Sequence, residues 1–188
     1  ILGKTLTQIA KHNVEAGLAG ALSVDEYKQQ LIGGFYAGFQ LTVNIVTALA
    51  QLFLVSRIIQ WFGVRIALFV MPLISLTGYS MLAVAPILGT VRLVKIAENS
   101  TDYSLQNTIR QALFLPTSRE AKYKAKAAID TFFYRTGDLV SAGLVFLGTK
   151  LALTPQRFSL INVALVLVWL VLAMVIGRRY AGLTGEGA

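Results

Sequence analysis

The chain has 188 residues, of which 55% are hydrophobic and only 14% are charged, and its mean hydropathy is +0.65. Because a soluble domain carries about 25% charged residues, this composition indicates an integral membrane protein, and we expect an all-α one. The chain has no cysteine and a single histidine, His12. It therefore has no disulfide or thiolate metal site, and we expect no metal and no cofactor.

The formal net charge is +8, which raises the question of a nucleic-acid partner. Such proteins gather Lys and Arg on a solvated face with aromatic residues between them. Here the basic residues lie mostly at the ends of apolar runs, as in the loops of membrane proteins. We therefore expect membrane lipid as a partner and no nucleic acid.

Residues 1–30 mix charged and apolar positions and carry no recognisable signal peptide. They are expected to lie outside the hydrocarbon, in a chain that is either processed or a fragment of a longer one. Ser23 and Glu26 have the spacing of a capping box and predict a helix start there.

Five hydrophobic segments follow, and each approaches or exceeds the roughly 20 residues needed to cross a bilayer. We predict spans at about 31–56, 66–87, 89–115, 125–148 and 158–177, with a short tail at 181–188. A basic turn is predicted at 56–65, a kink at Pro72, and the end of the second span near Pro86. Gly34 and Gly38, four residues apart, either form a close helix contact or reflect the general abundance of glycine in membrane helices.

Positive charges near the span ends predict the orientation. With five spans, the denser set of Lys and Arg belongs to the loops 57–65 and 116–124 and to the C-terminus. We therefore place these segments in the cytoplasm and the N-terminal part outside.

The third segment is unusual because it contains a row of polar side chains spaced four apart, namely Glu98, Asp102, Gln106 and Arg110, with Lys95 beside it. Residues four apart share one face of a helix, and an ionised side chain at the bilayer centre costs several kcal/mol. Such a stripe requires a water-filled cavity or oppositely charged partners.

The fourth segment begins with a lysine-rich stretch after Pro116, where Thr117 and Glu120 suggest a second capping box. Lys122, Lys126 and Asp130 then share one face at i, i+4 and i+8. Two interpretations remain open for the charged residues of both helices: ion pairs that lock the helices together, or the lining of a polar pathway. For Lys122 and Lys124, anchoring at the membrane surface is a further alternative.

The sequence lacks a catalytic constellation: it contains no Ser/His/Asp set, no acidic cluster with metal-ligand spacing and no P-loop. We therefore expect that the protein is not an enzyme.

Three stretches resemble the ATP/ADP translocase family of nucleotide transporters. They are YSLQNTIRQALFLP at 103–116, KYKAKAAID at 122–130, and the segment at 35–64. The resemblance covers roughly residues 30–150. It implies a major-facilitator-like fold of which this chain is the C-terminal half, a multi-span helical bundle. Residues 1–30 would then be the end of a preceding span and an extracytoplasmic loop.

The same resemblance implies a secondary transporter of an anionic solute, with a nucleotide such as ATP or ADP as candidate. Arg110, Lys122, Lys124 and Lys126 take the places of basic residues implicated in substrate binding. Our hypothesis adds Asp130, Lys95, Glu98, Asp102 and Gln106 to the predicted substrate-binding set. Glu98, Asp102 and Asp130 would either pair with Arg110 and Lys126 when the site is empty or couple to ions.

The sequence departs from the family pattern at three positions. Asn107 and Gln111 stand where the transporters usually carry Asp and Glu, and Ala125 replaces a glycine. The alternative hypothesis is therefore a non-transporting membrane subunit or scaffold of a larger complex. Expected partners are the missing N-terminal half, on the same or a separate chain, and other membrane subunits. The expected location is the bacterial inner membrane, with the plastid envelope as alternative.

Overall fold

The structure is a computed structural model, and it describes residues 11–17 and 23–185. Within these ranges the regular structure is entirely helical, in agreement with the predicted all-α class. Half of the predicted loop at 1–30, namely residues 1–10 and 18–22, and the last three residues of the predicted tail lie outside the described residues.

Helix α1 (Val24–Leu49) begins at the capping box that the sequence predicts. The Ser23 amide donates to the Glu26 carboxylate at 2.9 Å, and the Glu26 amide donates to Ser23 Oγ at 3.3 Å. A π-helical turn, Ala50–Leu54, joins α1 to α2 (Val55–Ala67) without a break. The first helix therefore continues well past residue 56.

The chain bends within α2 at Gly63, where φ is 72° and ψ is 168°. Side chains with a Cβ rarely adopt this conformation, so glycine allows a sharp bend at a single residue. The prediction of a turn over the whole of 56–65 is wrong, because the residues before Gly63 are helical.

Helix α3 (Val70–Val84) has Pro72 in its first turn, where a missing N–H disrupts no helical hydrogen bond. The interruption lies just before it, at Leu68 and Phe69, rather than at the proline. Pro86 follows the end of α3, as predicted. Next come α4 (Leu88–Thr101), a π-helical turn (Asp102–Gln106) and α5 (Asn107–Ala112), which form one continuous helical path.

After a reversal at 113–118 come α6 (Arg119–Ala128), a π-helical turn (Ile129–Phe133) and α7 (Tyr134–Lys150). The N-cap of α6 is Ser118, whose Oγ accepts from the Ala121 amide at 3.3 Å. The predicted Thr117 cap is therefore wrong by one residue, because the Thr117 hydroxyl donates instead to the Phe114 carbonyl. Helix α8 (Pro155–Thr184) is capped by Thr154.

The path from α4 to α5 lies at the centre of the bundle. Helix α3 packs along α8 and against α4, α1 packs on the other side of α4, and α2 contacts both α5 and α8. A hydrophobic core lies at the end of the bundle where α2, α5 and α8 meet. It consists of Val55, Val64, Ala67, Leu68, Leu105, Ile109 and Tyr180.

Helix α7 lies apart from this core. Its residues are exposed along the whole helix except Gly148, against which the Phe158 ring packs. A Cβ built at Gly34 or Gly38 would have no atom of another element within 4 Å. Of the two alternatives for these glycines, a close helix contact is therefore not formed with the described residues.

Two helical stretches are long and apolar enough to cross a membrane: Val24–Ala67, with 44 residues, and Pro155–Thr184, with 30 residues. Large apolar side chains such as Leu52, Leu139 and Val168 are more than half exposed. A helical membrane protein accounts for both observations. The five spans and the major-facilitator-like half remain predictions.

Candidate functional site

A basic pocket forms where the chain reverses between α5 and α6. It has a volume of about 170 Å³, and its lining consists of Asn107, Arg110, Gln111, Phe114, Lys122, Lys126 and Ile129. Three of these side chains are cationic and two are amides, and among the side chains that the structure describes no carboxylate lines the pocket. We refer to this site as the basic pocket.

Helix periodicity explains the composition of the basic pocket. Asn107, Arg110, Gln111 and Phe114 are spaced i, i+3, i+4 and i+7, and so lie on one face of the first helix. Lys122, Lys126 and Ile129 repeat that spacing on the next helix. The reversal at 113–118 turns the two faces toward each other.

Arg110 is positioned by Asn107, whose side-chain Oδ1 accepts a hydrogen bond from the guanidinium at 3.1 Å. A neutral amide holds the arginine without neutralising it, whereas an aspartate at this position would add a negative charge. The remaining guanidinium donors stay available for an anion.

Lys124 lies outside the basic pocket. Its Nζ is 2.7 Å from Glu120 Oε1, and both side chains are more than three-quarters exposed. The spacing of two residues places Lys124 on the opposite side of α6 from Lys122 and Lys126. The structure thus separates one of the three predicted lysines from the other two.

A second site, the acidic cavity, lies between α3, α4 and α8 and has a volume of about 350 Å³. Its lining consists of Met71, Ser75, Tyr79, Glu98, Asn99, Asp102, Asn162, Leu165, Val166 and Trp169. Two of the predicted site residues, Glu98 and Asp102, therefore face this cavity.

Glu98 is buried and paired. Its Oε2 lies 2.7 Å from Lys95 Nζ, which also donates to the Tyr79 hydroxyl at 3.1 Å, and that hydroxyl is 3.4 Å from Glu98 Oε2. Lys95, which the sequence places beside the polar row, is therefore the cation that pairs with Glu98. Asp102 has no cation within 4 Å among the described side chains.

The predicted row is divided between the two cavities because its members lie at different heights along the helix. Arg110 lies twelve residues beyond Glu98, about 18 Å at 1.5 Å per residue. Glu98 and Asp102 face the acidic cavity, whereas Arg110 faces the basic pocket. The predicted pairing of Arg110 with these two acids is absent from the described structure.

Two further predicted site residues are Gln106 and Asp130. Gln106 lines neither cavity, and its side-chain Oε1 is buried without a hydrogen-bond partner in the described part of the chain. The side chain of Asp130 lies outside what the structure describes. Within residues 11–17 and 23–185, no group of His, Cys, Asp and Glu is arranged to hold a metal ion.

Several lining residues were not among the predicted site residues. Asn107 and Gln111 were identified only as departures from a family pattern. They lie four residues apart with Arg110 between them, and this spacing indicates that these three side chains share one face of the helix. Tyr79 and Asn162 are polar residues within apolar segments, and that contrast was the available signal. The π-helical turns leave no comparable pattern in the sequence.

The comparisons with known proteins agree on one family. Residues 45–180 match the model described as TLC ATP/ADP transporter. Similar proteins include ADP,ATP carrier protein 1 of Chlamydia pneumoniae and that of Chlamydia muridarum; each is 26% identical over an alignment of 173 residues, and the match covers 78% of this chain. ADP,ATP carrier protein 2 of Chlamydia pneumoniae is 22% identical over 174 residues.

The chain spans about a third of the length of these relatives, 33% for the first and 32% for the other two. No solved structure matches it significantly. The family match nevertheless extends over most of the chain, from the end of α1 to the end of α8. This chain therefore belongs to the TLC ATP/ADP transporter family.

Proposed function

We propose that this chain forms part of a secondary transporter that moves an anionic solute, with ATP or ADP as the first candidates, by alternating access. The observation that carries the proposal is the basic pocket, which gathers the cationic side chains of Arg110, Lys122 and Lys126. The printed names of the relatives, ADP,ATP carrier proteins, supply the candidate solutes.

The donors of the basic pocket suit a phosphate group. An arginine fork binds two oxygens of a phosphate at once, while lysines act as mobile point charges. The side-chain amides of Asn107 and Gln111 can donate further hydrogen bonds. At about 170 Å³ the pocket is smaller than the roughly 300–1,000 Å³ typical of sites for drug-sized ligands. It therefore suits the phosphate end of a nucleotide rather than the whole molecule.

Polar side chains continue along the central helical path. From Arg110 to Lys95 the distance is about 20 Å at 1.5 Å per residue, and there the pair Lys95–Glu98 adjoins the acidic cavity. A transport pathway requires polar groups at different depths, and the basic pocket and the Lys95–Glu98 pair have this arrangement. Alternating access would expose them in turn as two halves of the transporter rock about the site.

The rest of the transporter would come from the missing N-terminal half, on the same or a separate chain. Exposed helix α7 offers it a packing surface. The bacterial inner membrane is the proposed location, because the similar proteins named above are bacterial, with the plastid envelope as the alternative.

The test is nucleotide exchange in proteoliposomes that contain the native polypeptide. Arg110→Ala and Lys126→Ala are expected to reduce the uptake of labelled ATP or ADP at least tenfold, because each removes a cation from the pocket. Arg119→Ala and Lys124→Ala are the matched controls and should retain uptake, since neither residue lines the pocket. Equal uptake by all four variants would rule out the basic pocket as the substrate site.

The alternative is a non-transporting membrane subunit that keeps the family fold. Asn107 and Gln111 favour it, because the pocket differs there from the transporter pattern. Thermal unfolding with and without nucleotide separates the two functions. A transporter is expected to unfold at a higher temperature with ATP or ADP, whereas a scaffold would show no shift and would purify with other membrane proteins.

A further inference from the structure

Helices α2 and α8, which contact each other, carry exposed arginines. We define the arginine surface as Arg57, Arg65, Arg178 and Arg179, all of them exposed. Neither α2 nor α8 contains an acidic residue, since the sequence has none from 27 to 97 or from 139 to 185. Among the described side chains, no carboxylate lies within 4 Å of any of the four arginines.

The packing of the two helices places Arg65 against Gly177, the residue next to Arg178. A Cβ built on Gly177 would lie 3.3 Å from Arg65 Cγ, so the aliphatic part of Arg65 crosses α8 at the residue next to Arg178. Val64 and Tyr180 belong to the hydrophobic core directly beneath. Arg65 and Arg178 therefore belong to segments of α2 and α8 that are packed against each other.

The arginine surface also lies at the depth of lipid headgroups. The apolar stretch 158–177 extends about 30 Å at 1.5 Å per residue, which matches the hydrocarbon thickness and places Arg178 just beyond it. Trp61 and Phe62 in α2 are 72% and 53% exposed. Aromatic residues beside basic ones are typical of the membrane interface.

From this charge and position we propose that the arginine surface binds the phosphate of an anionic phospholipid headgroup. Arginine forks hold phosphate oxygens in pairs, and basic sites between membrane helices attract anionic lipids electrostatically. Exposed Trp61 and Phe62 beside the arginines favour a lipid over a soluble anion, because the acyl chains would contact these rings. This inference requires the membrane location but not nucleotide transport.

The test compares the unfolding temperature of the native polypeptide in nanodiscs of phosphatidylcholine with that in nanodiscs containing roughly equal parts of phosphatidylcholine and phosphatidylglycerol. The wild-type protein should unfold at a higher temperature in the anionic discs, and added salt should reduce the difference. Arg65→Ala and Arg178→Ala should each lose at least half of the difference. Arg65→Lys should keep more of it than Arg65→Ala.

Arg157→Ala is the matched control, because Arg157 lies near the opposite end of the same helix, α8, and its loss should leave the difference intact. Unfolding in phosphatidylcholine alone shows whether each variant is folded. The proposal is overturned if the wild-type protein shows no difference, or if Arg65→Ala and Arg178→Ala behave like Arg157→Ala. It is also overturned if inorganic phosphate added to phosphatidylcholine discs stabilises the protein as much as phosphatidylglycerol does.

Discussion

Lys95, Glu98 and Tyr79 form the most constrained polar group in the described structure. The Glu98 side chain is 7% exposed and the Lys95 side chain 43%, so the carboxylate is desolvated far more than the ammonium. Removal of one partner from a fully buried pair costs about 3–5 kcal/mol. Because Lys95 is partly exposed, solvent would compensate part of that loss.

We therefore expect Lys95→Met, which leaves Glu98 buried without its cation, to lower the free energy of unfolding by about 2 kcal/mol. Glu98→Gln should cost less, because the partly exposed Lys95 ammonium can turn toward water. Unfolding in detergent measures both variants. The double variant Lys95→Met/Glu98→Gln should be more stable than Lys95→Met alone, and additive losses would show that the two side chains do not interact.

At the scale of elements, α3 and α4 pack closely at Gly78. A Cβ built at this position would lie 2.5 Å from Val94 Cγ1 and 3.3 Å from Val94 Cγ2. Val94 is buried and, as a β-branched residue in a helix, has essentially one favourable rotamer. The helix spacing at this point thus depends on the absence of a side chain at Gly78.

Gly78→Ala should consequently destabilise the protein by about 1–3 kcal/mol through overpacking, although alanine is the better helix former. The double variant Gly78→Ala/Val94→Ala should recover part of the loss, since the smaller side chain leaves room for the new methyl group. Gly38→Ala, also within a helix but without a neighbour at the Cβ position, is the control and should be neutral or stabilising. Equal effects at both glycines in thermal unfolding would contradict close α3–α4 packing.

The helical segments and part of the site were predictable, because both follow from residue spacing. The start of α1 at Ser23 and the shared face of Lys122 and Lys126 are examples. The π-helical turn at Asp102–Gln106 was not predictable, since its local sequence is compatible with an ordinary α-helix. The division of the charged row between two cavities was not predictable either, because residue spacing indicates a shared face but not which neighbouring helices cover each part of it.

At the scale of the whole molecule, the packing of the helices determines which turns and helix ends lie at the same end of the bundle. The reversal at 113–118, the bend at Gly63 and the C-terminal end of α8 lie at the same end of the bundle, because Val64, Ile109 and Tyr180 share one core. The loop between α7 and α8 lies at the start of α8, some 40 Å of helix away from its C-terminal end. The predicted orientation places the first of these two ends in the cytoplasm and the loop between α7 and α8 outside.

The absence of cysteine from the chain allows the orientation to be tested with single introduced thiols. We expect Ser118→Cys and Leu183→Cys to react with a membrane-impermeant maleimide only when the cytoplasmic side is open, and Ala152→Cys to react in intact cells. All three positions are exposed, so a failure to react reflects the membrane barrier rather than burial. Labelling of Ser118→Cys and Ala152→Cys from the same side would exclude a single crossing between them and, with it, the five-span prediction. Reaction of Ser118→Cys and Leu183→Cys from opposite sides would contradict the shared core at Tyr180.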